Sequence, residues 1–170
     1  KVEHNFKCDV DAAKIGQLKE GKVPFFEPDL EELLVQELAS GRLTFTTDFA
    51  EIADCDVHFI CVGTPQQKDG LAADMSYVNA SVESVALVAK SGSLIVGKST
   101  VPVGTADRLR ARIKEINSNV ELAWNPEFLR EGFAVEDTLR PNRLVVGVTS
   151  DTSEEILKEV YAPLIANNVP

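Results

Sequence analysis

The sequence is poor in the residues that would place it among disulfide-stabilised, metal-binding or membrane-spanning proteins. It contains three cysteines and two histidines in 170 residues, and no two cysteines have the spacing of a zinc site or a CxxC redox motif. Unclustered cysteines in an odd number are typical of a reducing compartment. No apolar run approaches the roughly 20 residues that span a bilayer. We therefore expect a cytoplasmic protein that holds no metal ion.

Basic residues are also scarce. Lys and Arg number 17 against 27 Asp and Glu, which gives a formal net charge of −10. Nonspecific nucleic-acid binding and adsorption to anionic membranes both depend on basic surfaces, so we expect neither as a partner. Hydrophobic residues make up 44% and charged residues 26%, which is the composition of an ordinary globular protein. At this length we expect one domain.

Short β-type runs alternate with helical runs along the chain. The near-continuous apolar runs at 57–62 and 94–96 suit strands that are buried on both faces. This alternation predicts an α/β fold, doubly wound around a mostly parallel sheet. Strands are predicted at 4–10, 43–46, 57–62, 94–96, 120–123 and 144–148. Helices are predicted between and after them, with capping boxes at Asp29/Glu32 and Thr152/Glu155.

The carboxyl ends of parallel strands are where such folds bind ligands. Asp9 lies at the end of the first predicted strand, where it could accept hydrogen bonds from ribose hydroxyls or could cap the next helix. Gly63 to Pro65 follow another strand, and the glycine would allow a ligand to approach the backbone. An ordinary turn explains the same residues. A hydroxyl-rich loop, 97–105, follows the strand after that.

Two glutamates follow the predicted strand at 120–123. Glu127 and Glu131 lie four residues apart with Arg130 between them. If this segment is helical, both carboxylates share one face, and such a pair could do acid–base work or hold sugar hydroxyls. The alternative is a solvated turn with ordinary surface acids.

Four motifs in order carry a resemblance that covers essentially the whole chain: Cys61–Pro65, Lys98–Thr105, Asn125–Gly132 and Pro141–Gly147. With them the sequence resembles the UDP-glucose/GDP-mannose dehydrogenase family. The opening Asp9–Asp11 and the Pro24–Pro28 loop fit as well. The STVPVGT and FLREG segments are most like the UDP-glucose branch.

The resemblance implies a Rossmann-like NAD-binding domain and a specific reaction. Two NAD molecules in turn oxidise the sugar C6 alcohol of UDP-glucose or a similar nucleotide sugar. The path leads through an aldehyde, a cysteine-bound thiohemiacetal and a thioester, which water hydrolyses to the uronic acid. A dehydrogenase for another nucleotide sugar is an alternative.

The resemblance also implies roles for individual residues. Glu127 would be the acid–base residue, and Thr100 would help to hold the catalytic water. The cofactor would be bound by Asp9, Lys14, Val62, Gly63, Thr64, Pro65, Ser99, Thr100 and Glu131. The nucleotide sugar would be bound by Glu127, Phe128, Leu129, Arg130 and Glu131. Neither Cys55 nor Cys61 matches the family's nucleophile, and we expect both to be small core residues.

Several parts of the family's fold are missing from the sequence. No two of the ten glycines are separated by one residue, so the GxGxxG turn is absent, and with it the strand that precedes that turn. The central helix, the second domain and the nucleophilic cysteine are absent too. We therefore expect residues 1–170 to be an incomplete NAD-binding domain that is inactive alone.

The alternative is a non-catalytic, truncated module that binds nucleotides weakly or associates with itself. The missing strand would leave backbone groups at a sheet edge unpaired. We therefore expect a homo-oligomer.

Overall fold

Strands and helices alternate along the chain, as the sequence predicts. One predicted strand, at 144–148, does not form. The computed structural model describes residues 4–68 and 70–170. Within those residues the strands are β1 (Asn5–Cys8), β2 (Leu43–Thr46), β3 (Val57–Ile60), β4 (Leu94–Gly97) and β5 (Glu121–Trp124). The α-helices are α1 (Ala12–Lys19), α2 (Leu30–Ala39), α3 (Ser76–Val88), α4 (Thr105–Ile116), α5 (Ala134–Leu139), α6 (Asp151–Val160) and α7 (Ala162–Ala166), and a 3-10 helix covers Phe49–Ile52.

The chain divides into two compact units, of which unit 1 collects three separate stretches: Lys1–Ile52, Phe128–Arg143 and Pro163–Pro170. Its strands β1 and β2 pair in parallel, from Asn5 opposite Leu43 to Cys8 opposite Thr46. Helices α1 and α2 pack against this pair of strands through a buried core. It consists of Ile15, Leu18, Leu34 and Phe45.

Unit 2 comprises Ala53–Glu127 and Leu144–Ala162. Its three strands are all parallel in the order β3-β4-β5, and every residue of the central strand β4 is buried. Leu94 and Val96 pack with Leu157 of α6, whereas the alternation of side chains along a strand turns Ile95 to the opposite face. Ile95 is fully buried as well. Parallel strands covered on both faces confirm the predicted fold class.

Two helix starts differ from the predicted capping boxes. Asp29 has a left-handed backbone (φ 64°) and makes no capping hydrogen bond, because a residue in that conformation does not place its side chain over the first helical amides. Helix α6 begins at Asp151, and its cap is Ser150, whose side chain accepts from the Ser153 amide at 3.1 Å. Thr152 therefore lies inside the helix.

The strand predicted at 144–148 is wrong. Only Gly147 forms an isolated antiparallel bridge, with Trp124, through backbone hydrogen bonds of 2.9 and 2.7 Å. The carbonyl oxygen of Val145 accepts instead from the Asn125 side chain at 2.8 Å. A side chain therefore takes a backbone group that a continued ladder would have used. None of the helices in the described residues is both long and apolar enough to cross a membrane.

Candidate functional site

Two loops at the strand ends of unit 2 are tied together by side-chain hydrogen bonds. The Ser99 hydroxyl donates to the Val62 carbonyl oxygen at 2.5 Å, and the Thr64 hydroxyl donates to the Thr100 carbonyl oxygen at 3.1 Å. The structure thus brings together the loops after β3 and β4 that the sequence predicts to line a cofactor. Gly63 is exposed, and the nearest atom to an added Cβ lies 4.0 Å away, in Pro65.

The end of β4 is shaped by the chain's single tryptophan. A Cβ added to Gly97 would lie only 2.4 Å from ring carbons of Trp124, so the indole occupies the space that any other side chain would need. The indole N–H donates to the Ser99 carbonyl oxygen at 3.1 Å. Gly97 and Trp124 together set the course of the chain into the Ser99–Thr100 loop.

A buried amide organises polar groups where β4 and β5 end. Asn125 is only 2% exposed, and its side-chain oxygen accepts from the Lys98 ammonium at 2.9 Å and from the Tyr161 hydroxyl. Burial raises the pKa of Tyr161 to about 12, so the phenol stays protonated as a donor. Burial also lowers the pKa of Lys98, although Cys61 and Glu127 favour its charged form. Lys98 is therefore a partly desolvated ammonium group that donates to the buried Asn125 side chain.

Glu127 follows Asn125 in an irregular segment. Its backbone amide donates to the Lys98 carbonyl oxygen at 3.3 Å, and its side chain is exposed. Residues 125–130 are not helical, so Glu127 and Glu131 do not share a helix face. The expectation that Cys61 is a core residue is wrong too: it is exposed just beyond β3, and Cys55 is only partly buried.

In unit 1, the cap of α1 is Asp11 and not Asp9, for which the sequence leaves capping as an alternative. Asp11 caps α1, accepting from the amides of Ala13 and Lys14 at 2.9 and 3.0 Å. Asp9 accepts from the Asp11 amide at 3.2 Å and from the Lys14 ammonium at 2.7 Å. Partial burial acts to raise the pKa of Asp9, but these hydrogen bonds outweigh it, so the pKa lies below its ordinary value. An ionised carboxylate with lone pairs to spare suits ribose hydroxyls.

The segment Phe128–Glu131, which we call the strip, is exposed throughout. The guanidinium of Arg130 binds Asp137 through contacts of 2.7 and 3.0 Å and lies over the Phe133 ring at 4.7 Å. Its side chain is therefore directed toward α5.

Glu27 is a residue that the sequence did not single out for a role. It is buried, and its two carboxylate oxygens accept from the amides of Gly132 and Ala134 at 2.9 and 2.7 Å. These partners lie 105 and 107 residues away, so no local pattern could indicate the contact.

The residues present fit parts of a dinucleotide. In unit 1, Asp9 suits ribose hydroxyls. In unit 2, the open backbone at Gly63 suits the amide group of a ligand. Residues 92–99 have the spacing of a phosphate-binding loop, GxxxxGK[ST], but Leu94–Gly97 form a buried strand, so that segment offers no cradle. Among the residues that the structure describes, no cluster of His, Cys, Asp and Glu could hold a metal ion.

The chain is similar to proteins of known function along nearly its whole length. The chain is 45% identical to UDP-glucose 6-dehydrogenase of Rhizobium meliloti (strain 1021) over 98% of its own residues and 40% of that protein. It thus spans about two fifths of the curated relative's length.

Two solved structures superpose closely on the chain. GDP-mannose dehydrogenase from Pseudomonas aeruginosa, solved as a ternary complex, matches with a TM-score of 0.88 and 35% identity. A UDP-glucose dehydrogenase from Pyrobaculum islandicum matches with a TM-score of 0.84 and 39% identity. Each match covers 94% of this chain and 38% of the other. Residues 3–165 match the model of a family described as the UDP-glucose/GDP-mannose dehydrogenase family, NAD binding domain, and the chain belongs to that family.

Proposed function

We propose that the chain is the NAD-binding part of a nucleotide-sugar 6-dehydrogenase that acts on UDP-glucose. The observation that carries the proposal is the joining of the Val62–Pro65 and Ser99–Thr100 loops, with Glu127 tied to Lys98 beside them. Three strand ends thereby present a backbone-lined surface with one carboxylate next to it. In this proposal residues 1–170 are an incomplete NAD-binding domain, and a central helix and a second domain complete the enzyme.

The proposal assigns cofactor-contacting residues in each unit separately. In unit 1, Asp9 accepts the adenosine ribose hydroxyls, with Lys14 holding the carboxylate in place. Its negative charge also disfavours a 2′-phosphate, so NAD is preferred over NADP. In unit 2, Val62, Gly63, Thr64 and Pro65 contact the cofactor by backbone, and Ser99 and Thr100 approach the nicotinamide. Glu131 is assigned to the nicotinamide as well.

In the oxidation, NAD serves as the hydride acceptor when bound. Glu127 takes the role of acid–base residue, and its exposed carboxylate is accessible to water. Thr100 helps to hold that water. The strip residues Phe128, Leu129 and Arg130 bind the nucleotide sugar, with Glu127 and Glu131 at its two ends.

The test uses the full-length protein that contains this chain. Formation of NADH with UDP-glucose is expected, with Glu127→Gln lowering kcat at least about a hundredfold, the usual scale of acid–base catalysis. Glu155→Gln, the same change on the exposed side of α6, is the matched control and should leave kcat unchanged. A Glu127→Gln enzyme with normal kcat would remove Glu127 from the mechanism.

The choice of sugar has its own test, because one similar structure is a GDP-mannose dehydrogenase. We expect kcat/KM to be higher for UDP-glucose than for GDP-mannose. The reverse order would assign the chain to the alternative, a dehydrogenase for another nucleotide sugar.

A second candidate function concerns the chain acting alone. Among the described residues β1 pairs only with β2, and β3 pairs only with β4, so each has an edge with free backbone groups. Such edges favour association, which supports a homo-oligomer and a non-catalytic module. Sedimentation should show association, and calorimetry with NAD and with UDP-glucose should show whether either binds. We expect the 170-residue chain to form no NADH from UDP-glucose, and a monodisperse, active monomer would contradict both expectations.

A further inference from the structure

We infer that Glu27 is a positioning residue that fixes the strip Phe128–Glu131 to the core of unit 1. The structural part of this inference stands on geometry alone. Its functional part rests on the proposed role of the strip in binding the nucleotide sugar. The Glu27 carboxylate accepts from the amides of Gly132 and Ala134, neither of which is a proposed substrate or cofactor residue, so it acts through the backbone that follows the strip.

The first step of the argument is the quality of the contact. Glu27 is only 7% exposed. Burying a carboxylate is costly unless hydrogen bonds satisfy it. Each of its two oxygens accepts one amide, from Gly132 at 2.9 Å and from Ala134 at 2.7 Å. Hydrogen bonds to a charged acceptor are about twice as strong as neutral ones. The contact therefore holds the backbone immediately after Glu131.

The second step is how the strip is joined to its surroundings. Asp137 of α5 accepts from both the backbone amide and the guanidinium of Arg130. The strip, the turn after it and α5 are thus cross-linked among themselves. Glu27 connects this cross-linked segment to a different stretch of unit 1.

The third step is what stands behind Glu27. Its carbonyl oxygen accepts from the Leu30 amide at 3.3 Å, at the start of α2. Helix α2 contributes Leu34 to the core formed with Ile15, Leu18 and Phe45. A continuous path therefore runs from the packed core through α2 and the Glu27 carboxylate to the strip. Loss of the carboxylate should release the strip and α5 together while leaving the core intact.

The variants separate the carboxylate's contacts from its charge. Glu27→Gln keeps the shape but replaces one acceptor oxygen by an NH₂ donor, which then faces a backbone N–H. Glu27→Asp keeps both acceptors on a shorter side chain and should rescue part of the effect. Glu31→Gln removes the same charge from an exposed position in the first turn of α2, so it is the matched control.

Hydrogen exchange in the full-length protein, read by mass spectrometry, tests the structural part. In Glu27→Gln, exchange in the peptide containing Gly132 and Ala134 should be roughly tenfold faster, the change expected for one lost charge-assisted hydrogen bond. Peptides covering Leu34 and Phe45 should exchange at the wild-type rate. Unchanged exchange at 132–134, or equally faster exchange in all peptides, would overturn the inference, as would an equal effect of Glu31→Gln.

Steady-state kinetics test the functional part. Because the strip is proposed to bind the nucleotide sugar, Glu27→Gln should raise KM for UDP-glucose roughly tenfold and change kcat much less, a split that simple loss of folded protein would not produce. If Glu27→Gln instead lowers kcat roughly tenfold and leaves KM for UDP-glucose unchanged, the positioning role is refuted. If the wild-type protein does not oxidise UDP-glucose, the proposed function has failed, and the exchange data alone then decide whether Glu27 fixes the strip.

Discussion

Replacing Gly97 by alanine should destabilise unit 2 because of one clash. Gly97 is buried at the end of the central strand β4, and the new methyl group would lie 2.4 Å from the Trp124 ring. A planar indole cannot yield at one atom, so the whole ring must turn or the two strands must separate. Either movement also strains the hydrogen bond from the indole to the Ser99 carbonyl oxygen.

The magnitude follows from these two effects. Overpacking of this kind costs about 1–3 kcal/mol, and loss of the indole hydrogen bond costs about 0.5–1.5 kcal/mol. Alanine also lowers the conformational entropy of the unfolded chain, which offsets about 0.4–1 kcal/mol of this destabilisation. We therefore expect Gly97→Ala to lower the free energy of unfolding by about 2 kcal/mol, which is the result of combining the mid-range values of these three contributions.

The assay is urea unfolding followed by far-UV circular dichroism and by fluorescence, since Trp124 is the only tryptophan. The control is Gly16→Ala, the same chemical change in α1, where an added Cβ meets no atom within 4 Å. Alanine in a helix interior is favoured by about 0.5–1 kcal/mol over glycine, so this variant should be slightly more stable than wild type.

A double-mutant cycle decides whether the clash is the cause. In a Trp124→Ala background the ring is gone, so the added methyl group should cost little. If Gly97→Ala costs as much without the indole as with it, the clash is not the reason for the destabilisation. The reasoning also fails if Gly97→Ala is as stable as wild type.

Three further predictions follow from polar contacts. Burial holds the pKa of His58 below its ordinary value of 6.5, so the unfolded state takes up the proton more readily. Stability should therefore be full above pH 6.5 and fall below it, and His58→Leu should remove that part of the pH dependence in unfolding measurements. Ser150→Ala removes the cap of α6 and a hydrogen bond to Glu121. It should cost about 1 kcal/mol. The hydrogen bonds of Ser150 and Ser153 hold the pKa of Glu121 below 4.5, so the cost should be largest above that pH and shrink on acidification. Asp9→Asn should weaken NAD binding to the full-length protein roughly tenfold by calorimetry, whereas Asp11→Asn, which keeps a good capping residue, should not.

The course of the main chain was predictable where local signals agree. Strand β2 has the predicted bounds, and the apolar runs at 57–62 and 94–96 contain the parallel strands β3 and β4. Every residue of β4 is buried as predicted, whereas β3 leaves Phe59 exposed, so its burial on both faces was predicted wrongly. The apolar run 144–148 reads as a strand for the same local reason. This strand does not form because the side chain of Asn125, distant in sequence, donates to the Val145 carbonyl oxygen. Propensity alone does not include such competition.

The candidate site was predictable only in part. The loops at Gly63 and Ser99 were predictable because each follows a strand, and parallel strands bring their carboxyl ends to one edge of the sheet. The geometry of Glu127 was not predictable, since its segment has no regular structure. Neither was the contact of Glu27, because the amides it binds carry no side-chain signature and lie far along the chain.

The discontinuous make-up of unit 1 has a consequence for folding during synthesis. In unit 2, residues 53–127 supply β3, α3, β4, α4 and β5 as one unbroken stretch. Its strands pair Val57 with Leu94 and Leu94 with Glu121, so the loops that these pairings close are much shorter than the one closed by Glu27. The Glu27 carboxylate must wait for an amide made 105 residues later, and closing so long a loop carries an entropic cost. During synthesis, Glu27 can therefore bind the backbone after the strip only once all three strands of unit 2 have been synthesised. A nascent chain that ends just after residue 127 therefore contains all three strands of unit 2 but neither of the amides that bind the Glu27 carboxylate.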